Sequence, residues 1–146
     1  MTIRNMGSLL RKLEQLGADK TALTNGITKA ALKVQGDAKL LAPTSPGGGR
    51  LKNSIQAETR QEGGKVVGRV YTNVEYAAYV EFGTGQRGEA SPSPPKSPED
   101  IYYRQDWAGM AAQPYLYPAA RQNVRKVPEI VAAEMRKELR RLRGRR

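Results

Sequence analysis

The segment EYAAYVEFGTG, Glu75–Gly85, is the most distinctive stretch of the chain and decides how its surroundings are interpreted. Within it, Tyr76, Tyr79 and Val80 follow the three-and-four spacing of a single helical face. Gly83 is suited to the left-handed backbone conformation that commonly ends a helix. The segment therefore predicts a short helix over residues 75–82, with Gly83-Thr84-Gly85 as its exit.

A long helical region is predicted before this segment. Apolar residues at helical spacing begin near Ser8, which is predicted to cap the first helix, and Gly17 is predicted to break or kink it. The pattern then resumes, and Pro43 ends it at or just before the preceding residue. Gly26 and Gly36 each weaken this second helix by roughly 1 kcal/mol, so packing must offset their cost.

The middle of the chain predicts a β-hairpin and a long loop. Residues 54–59 and 66–72 alternate in the manner of strands, and residues 61–64 form a turn between them. Gln86–Asp100 contains four prolines among polar residues, which predicts an extended, exposed surface loop that continues to residue 110.

The end of the chain predicts a second long helix. Gln113–Pro118 is predicted to be extended because two prolines bracket it. An apolar stripe at helical spacing then begins at Ala119 and continues to Leu142, and Pro128 is predicted to kink the helix.

Composition excludes several classes of function. The chain has 146 residues, the length of one ordinary domain, and only 38% are hydrophobic, so its core must be thin and neighbouring subunits are expected to add stability. It contains no Cys and no His, which argues against disulfides, common zinc sites and Ser–His or Cys–His nucleophile pairs. No signal peptide or membrane span is visible, so we expect synthesis in the cytoplasm, without cofactor or metal.

Two carboxylates in the distinctive segment invite a catalytic interpretation. Glu75 and Glu81 are six residues apart, which places them on different faces of a helix, so they do not converge as the paired acids of glycoside hydrolysis do. We expect structural roles instead. Glu75 lies near the positive N-terminal end of the helix, and Glu81 can bond backbone amides of the Gly83–Gly85 turn or an Arg of a neighbour.

The aromatic residues Tyr76, Tyr79 and Phe82 are predicted to be core or interface anchors. Stacking on single-stranded nucleic acid would require them to be exposed in a basic groove, and nothing in the sequence indicates one.

Positive charge is concentrated at the C-terminal end. The formal net charge is +11, and residues 121–146 contain ten Lys or Arg against three Glu. Such a segment suits an anionic partner, either nucleic acid or an acidic protein surface, although a solvated helix face is the commoner explanation. The candidate contact residues in the basic end, residues 136–146, are Arg136, Lys137, Arg140, Arg141 and Arg143.

Three segments together resemble a known family. Tyr76–Gly85 resembles the signature of the phage tail-completion family, which comprises head–tail joining, or minor tail, proteins of long-tailed phages. Ala42-Pro43 followed by Arg50–Ile55 looks like the family's Ala-Pro loop and the strand that follows it, and Pro114–Ala119 is similar to its entry to the last helix. The three segments also occur in the family's order. The chain departs from the family at Thr44–Gly49 and in its long loop after residue 86.

The resemblance implies an α+β fold in a single domain over residues 1–146. Long N- and C-terminal helices would pack on a small antiparallel β-sheet, with a short central helix and a long Pro-rich loop. It implies no catalytic residues, and it makes the family motif a predicted interface. The motif residues are Tyr76, Tyr79, Glu81, Phe82, Gly83, Thr84 and Gly85.

The implied function is that of a structural virion protein, made in the host cytoplasm. It would form a homo-oligomeric ring, six-fold rather than twelve-fold, at the head–tail junction, and so complete the tail and join it to the head. The implied partners are neighbouring neck and tail proteins such as a head-closure or connector protein and a tail terminator, without any membrane. The alternative is a nucleic-acid-binding module whose basic C-terminal helix contacts phage DNA without sequence preference.

Overall fold

Most of the predicted elements are present in the computed structural model of the protein, which describes residues 6–15, 20–44 and 48–144. In chain order the elements are α1 (Met6–Gln15), α2 (Thr21–Leu41), α3 (Arg50–Ser54), β1 (Gln56–Glu62), β2 (Lys65–Tyr71), α4 (Ala77–Phe82), α5 (Gly85–Ala90), α6 (Leu116–Gln122) and α7 (Lys126–Arg143). β1 and β2 pair as a two-stranded antiparallel sheet. This combination confirms the α+β fold class. Within the described part of the chain, none of the helices combines the length and apolar character that a membrane crossing requires.

The described residues form two compact units, each assembled from separate stretches of the chain. Unit 1 draws on residues up to 33, residues 57–69 and residues from 123 onward, whereas unit 2 consists of residues 34–56 and 70–122.

The core of unit 1 consists of apolar side chains from α1, the first part of α2, and α7. Its buried members are Leu13, Ala22, Ala30, Val131, Met135 and Leu139. The hairpin is fastened to α2 by polar contacts: Lys20 Nζ donates to Gly64 O at 2.6 Å, and the hydroxyls of Thr28 and Thr59 lie 2.8 Å apart.

The two glycines of α2 have different environments. A Cβ added to Gly26 would lie 3.0 Å from the Cα and 3.2 Å from the carbonyl oxygen of Val131, so the absence of a side chain lets α2 approach α7 closely. A Cβ on Gly36 would meet nothing within 4 Å. Packing therefore offsets the helix-weakening effect of Gly26 and leaves that of Gly36 without compensation.

The core of unit 2 is built from small side chains around one large one. Its buried members are Ala38, Ala42, Leu51, Ile55, Ala77, Val80, Tyr115 and Ala119. Tyr115 is the largest fully buried side chain among the described residues. Because four of these eight residues are alanines, the thin core predicted from composition is realised here around Tyr115.

Near the N-terminus the structure corrects two predictions. α1 begins at Met6, so Ser8 lies inside the helix and does not cap it. Ser54 was predicted to begin a strand, but it ends α3, because its hydroxyl donates to Leu51 O at 2.6 Å and Leu51 is buried. The end of α2 at Leu41 confirms the effect predicted for Pro43. The predicted break at Gly17 lies outside the described residues.

The C-terminal helix is divided, contrary to the prediction of one continuous helix from Ala119. α6 begins at Leu116, so the last part of Gln113–Pro118 is helical and not extended, and the chain leaves the helix between Gln122 and Lys126. The break thus precedes Pro128, which does not kink α7. Pro118 and Pro128 are each the third residue of a helix, where the missing N–H has no intrahelical partner to lose.

The loop predicted over Gln86–Asp100 is more ordered than its composition suggests. Its first part is α5, and Lys96 and Ser97 are buried rather than exposed. Lys96 Nζ donates to Gly88 O at 2.8 Å and to Glu89 O at 3.2 Å, which satisfies carbonyls at the end of α5. The ammonium also lies 5.1 Å from the centroid of the Tyr103 ring. The segment of exposed prolines is therefore attached to α5 through the buried side chain of Lys96.

The α2 glycines provide a matched stability test. Gly36→Ala should raise the free energy of unfolding by about 0.5–1 kcal/mol, because Ala is the better helix former. Gly26→Ala should lower it, because the new methyl group would press on the backbone of Val131. Urea denaturation of both variants measures the difference. An equal gain from the two substitutions would contradict the close approach of α2 to α7.

The buried lysine gives an expectation for limited proteolysis. Three trypsin targets lie between residues 85 and 112: Arg87 in α5, Lys96, and the exposed Arg104. In the folded protein the bond after Lys96 should be cut last and the bond after Arg104 first. Mass spectrometry of timed digests reads the order, with the urea-unfolded chain as a control in which the three rates converge. Early cleavage after Lys96 would show that the anchor does not hold.

Candidate functional site

The carboxylate of Glu81 occupies a buried position between two segments of unit 2. Its side chain lies in α4, and the residue is only 5% exposed. Oε2 accepts hydrogen bonds from the backbone N–H groups of Tyr115 at 2.8 Å and Leu116 at 3.0 Å. Oε1 accepts from the N–H of Tyr117 at 2.8 Å. We call this set of three bonds the Glu81 clamp.

The clamp satisfies the start of α6. The first backbone N–H groups of a helix lack intrahelical partners, and here the carboxylate receives those of Tyr115, Leu116 and Tyr117. The next residue, Pro118, has no N–H to satisfy. A negative charge at this end of the helix is also favoured by the alignment of peptide dipoles.

Tyr115 is held at its side chain as well as at its backbone. Its hydroxyl, fully buried, donates to the carbonyl oxygen of Ala77 at 3.2 Å. Burial raises the pKa of this hydroxyl well above its ordinary value, and the nearby Glu81 and Tyr76 add to the effect. Tyr115 therefore remains a protonated donor at any physiological pH. A further bond from Gln113 N to Val80 O at 2.8 Å completes the connection between α4 and the entry to α6.

The exit from α4 depends on close approach of backbones. Gly83 has φ +72° and ψ −175°, a region open to glycine alone, and an added Cβ would lie 2.6 Å from Ala112 N. Thr84 forms a bridge with Met110, whose N–H also reaches the Thr84 hydroxyl at 2.9 Å. Opposite, a Cβ on Gly109 would collide with Thr84 O at 2.0 Å. The left-handed conformation predicted for Gly83 is therefore wrong in ψ, although its φ is positive, and glycine is needed here because the backbone of residues 110–112 passes so close.

The aromatic residues of the motif lie in three different environments. Tyr79 is 59% exposed. Phe82 is half-buried, and its carbonyl oxygen accepts a hydrogen bond from the Tyr103 hydroxyl at 2.9 Å. Tyr76 is half-buried beneath the Arg50 guanidinium, 5.7 Å from the ring centroid, and its hydroxyl has no hydrogen-bond partner among the described residues. Of these three, Tyr79 is the one that presents most of its side chain to solvent.

Glu75 pairs with an arginine instead of converging on Glu81. Arg50 donates to its two carboxylate oxygens at 2.8 and 3.0 Å, and these bonds lower the pKa of Glu75. Glu81 is fully occupied by backbone amides, so neither acid is arranged for acid–base chemistry. Within the part of the chain that the structure describes, no group of acidic side chains could hold a metal ion.

A groove in unit 1 is no better as a reactive site. It has a volume of about 370 Å³ and is lined by Thr21, Ala22, Asn25, Glu134, Lys137, Glu138 and Arg141. Its carboxylates are already engaged, since Lys29 donates to Glu134 at 2.7 Å and Arg141 donates to Glu138. The groove therefore presents satisfied ion pairs.

The five predicted basic contact residues are all exposed on α7, but they differ in their partners. Arg141 is tied to Glu138 through two hydrogen bonds, one of them 2.8 Å long. Lys137 lies close enough to Glu134 to help lower the pKa of that carboxyl, after the larger effect of Lys29. The guanidinium groups of Arg136, Arg140 and Arg143 have no hydrogen bond or ion pair with any described residue.

Sequence reasoning missed the partner of Glu81. We expected the amides of the Gly83–Gly85 turn or a neighbour's Arg, and the structure gives the amides of Tyr115, Leu116 and Tyr117 instead. A signal was available: an acid embedded in an apolar helical segment needs buried donors, and a helix start that carries Pro at its third position offers three consecutive amides.

The geometry describes a small α+β protein whose most distinctive motif supports its own fold. Comparison with known proteins shows the family to which the chain belongs. A family model described as "Bacteriophage HK97-gp10, putative tail-component" matches residues 5–83, just over half of the chain. The chain belongs to this family of phage tail components, which confirms the resemblance seen in the sequence. No curated protein sequence and no solved structure matches the chain significantly.

The clamp predicts a large difference in stability between substitutions of Glu81 and of the neighbouring Glu75. Glu81→Gln should lower the free energy of unfolding by on the order of 3 kcal/mol, because the charge is lost and the new amide N–H₂ faces a backbone donor. Glu75→Gln, which alters an exposed ion pair, should change stability little. Urea denaturation of both variants compares them. Equal, small effects would mean that Glu81 is not a buried acceptor.

Proposed function

We propose that the protein is a structural virion subunit that forms a ring at the head–tail junction of a tailed bacteriophage, completing the tail and joining it to the head. The observation that carries this proposal is its membership of a family of phage tail components. The ring is homo-oligomeric, with six subunits favoured over twelve. Its neighbours in the virion are a head-closure or connector protein and a tail terminator.

Exposed apolar residues in unit 2 support a role in assembly. Leu40 is 79% exposed, Tyr102 90%, Trp107 52% and Tyr79 59%. Single exposed apolar residues are common on monomers, but aromatic side chains are enriched where proteins meet. The chain contains only nine aromatic residues. Three of them, Tyr79, Tyr102 and Trp107, expose more than half of their surface to solvent unless a neighbouring subunit covers them.

The motif residues divide between the interior and this surface. Glu81, Gly83 and Gly85 are buried within the subunit, so their part in assembly is to hold the fold. Tyr79 is the motif residue most available for contact with a neighbour. The proposed interface thus combines Tyr79 with exposed residues outside the motif, chiefly Tyr102 and Trp107.

The environments of Glu75 and Glu81 fit the proposal. Glu81 accepts hydrogen bonds from backbone amides, and Glu75 is paired with Arg50. A structural subunit needs no such residues to be free, and the buried Glu81 contributes to a virion by keeping α4 and the start of α6 together.

The first test is genetic. Deletion of the gene from the phage that encodes it should yield filled heads and tails that remain unjoined, or tails defective at the end nearest the head, in electron micrographs. Complementation with the wild-type gene should restore joined particles. Normal infectious particles without the protein would overturn the proposal.

Substitutions at the exposed aromatic residues test the interface directly. Tyr102→Ala combined with Trp107→Ala should leave the subunit folded, because both side chains are exposed, but should abolish complementation and ring formation in native mass spectrometry. Arg104→Ala, an exposed substitution in the same loop, is the matched control and should complement normally. If the double variant joins heads to tails as well as the control does, these residues are not the interface.

A further inference from the structure

The two sides of α7 have opposite character. Val131, Met135 and Leu139 are buried in the core of unit 1, and Ala132 is also buried. The exposed residues of the helix are Lys126, Glu129, Ala133, Arg136, Lys137, Arg140, Arg141 and Arg143. The outward surface therefore carries six cations, one carboxylate and one small apolar side chain.

Three of these cations form one stripe of positive charge, which we call the basic face: Arg136, Arg140 and Arg143. Its three arginines follow the i, i+4, i+7 spacing of one helical stripe, spread over about 10 Å of helix axis. Their guanidinium groups lack internal partners among the described residues, whereas Arg141 on the adjoining stripe is bonded to Glu138. The basic face is thus both concentrated and chemically unsatisfied.

The residue types on this surface favour one kind of partner. A protein interface of useful stability needs apolar or aromatic anchors, and no exposed residue of α7 is a large apolar one. Single-stranded nucleic acid is held largely by aromatic stacking, and α7 contains no aromatic residue. Charge complementarity to a regular polyanion is what remains.

The same residues argue against reading of a base sequence. α7 contains no Asn, Gln, Ser or Thr, the polar side chains that commonly supplement arginine at base edges. Arg and Lys suffice for phosphate contacts, which fix position without carrying sequence information. We therefore propose that the basic face of α7 binds the phosphate backbone of double-stranded DNA, independently of its sequence. This inference does not depend on ring formation.

The experiment uses the full-length chain and a fluorescent 30-base-pair duplex, in two unrelated sequences, with binding followed by anisotropy between 50 and 200 mM salt. The test variant combines Arg136→Gln, Arg140→Gln and Arg143→Gln. The matched control combines Lys65→Gln, Arg87→Gln and Arg121→Gln. It removes three exposed cations from outside α7, so its net charge equals that of the test variant. Substitution is preferable to truncation after Glu138, which would remove the buried Leu139.

We expect both duplexes to bind equally well. The test variant should bind roughly a hundredfold more weakly at 0.1 M salt. Its plot of log K against log salt should be less steep by about 2.7, because the loss of three phosphate contacts means that fewer counterions are released on binding. The control variant should stay within a few-fold of the wild type. A third variant with Arg→Lys at the same three positions should bind more tightly than the Gln variant, since lysine still attracts phosphate as a point charge.

Several outcomes would overturn the proposal. Equal losses in the test and control variants would assign binding to net charge and not to α7. An Arg→Lys variant as weak as the Gln variant would show that charge at these positions does not carry binding, and a strong preference between duplexes would indicate base recognition. Displacement of the duplex by polyglutamate at equal charge concentration would assign the face to an acidic protein. Unchanged melting temperatures across the variants separate each of these outcomes from unfolding.

Discussion

The buried carboxylate of Glu81 is the constraint on which unit 2 depends. Burying a charge is costly unless it is fully hydrogen-bonded, and this one receives three backbone amides at the start of α6. The bonds fix the entry to α6 relative to α4, and Tyr115 is then fixed in the centre of the core. The glycines that follow Glu81 serve the same arrangement, because any side chain at Gly83 would push the returning chain away. The distinctive motif and Pro114–Ala119 are thus the two segments that the Glu81 clamp connects.

This interpretation changes what the family motif implies about assembly. A motif that identifies a family of tail components is easily taken for the surface through which its members assemble. In this chain its acid and its first two glycines after α4 are inside the subunit, and their partners belong to the same unit. The exposed residues that we propose as an interface, such as Tyr102 and Trp107, lie outside the motif.

Local signals in the sequence predicted the elements that local physics decides. α2, the hairpin and the end of α4 at Gly83 follow from apolar periodicity, turn residues and a proline. α3 and α5 were missed because their helical state rests on contacts: Ser54 bonding Leu51, and Lys96 satisfying the carbonyls of Gly88 and Glu89. The prolines near α6 were misjudged because a bracketed segment can be extended or can begin a helix. The Glu81 clamp, which joins residues 34 to 36 positions apart, decides for the helix.

The positions of the cations in α7 argue that folding alone does not account for the basic face. Cations in the last turn of a helix are favoured by its dipole, an effect that fades beyond one turn, so Arg140, Arg141 and Arg143 have a stabilising role there. Arg136 and Lys137 lie too far from the end to share it. Arg136 also lies one turn from Arg140, and Lys137 lies one turn from Arg141. Like charges at this spacing destabilise a helix by about 0.2–0.5 kcal/mol per pair. Glu138 offsets the repulsion at Arg141 by pairing with it, but no described residue does so for Arg136. The contact with DNA phosphates that we propose for the basic face would offset this repulsion at Arg136.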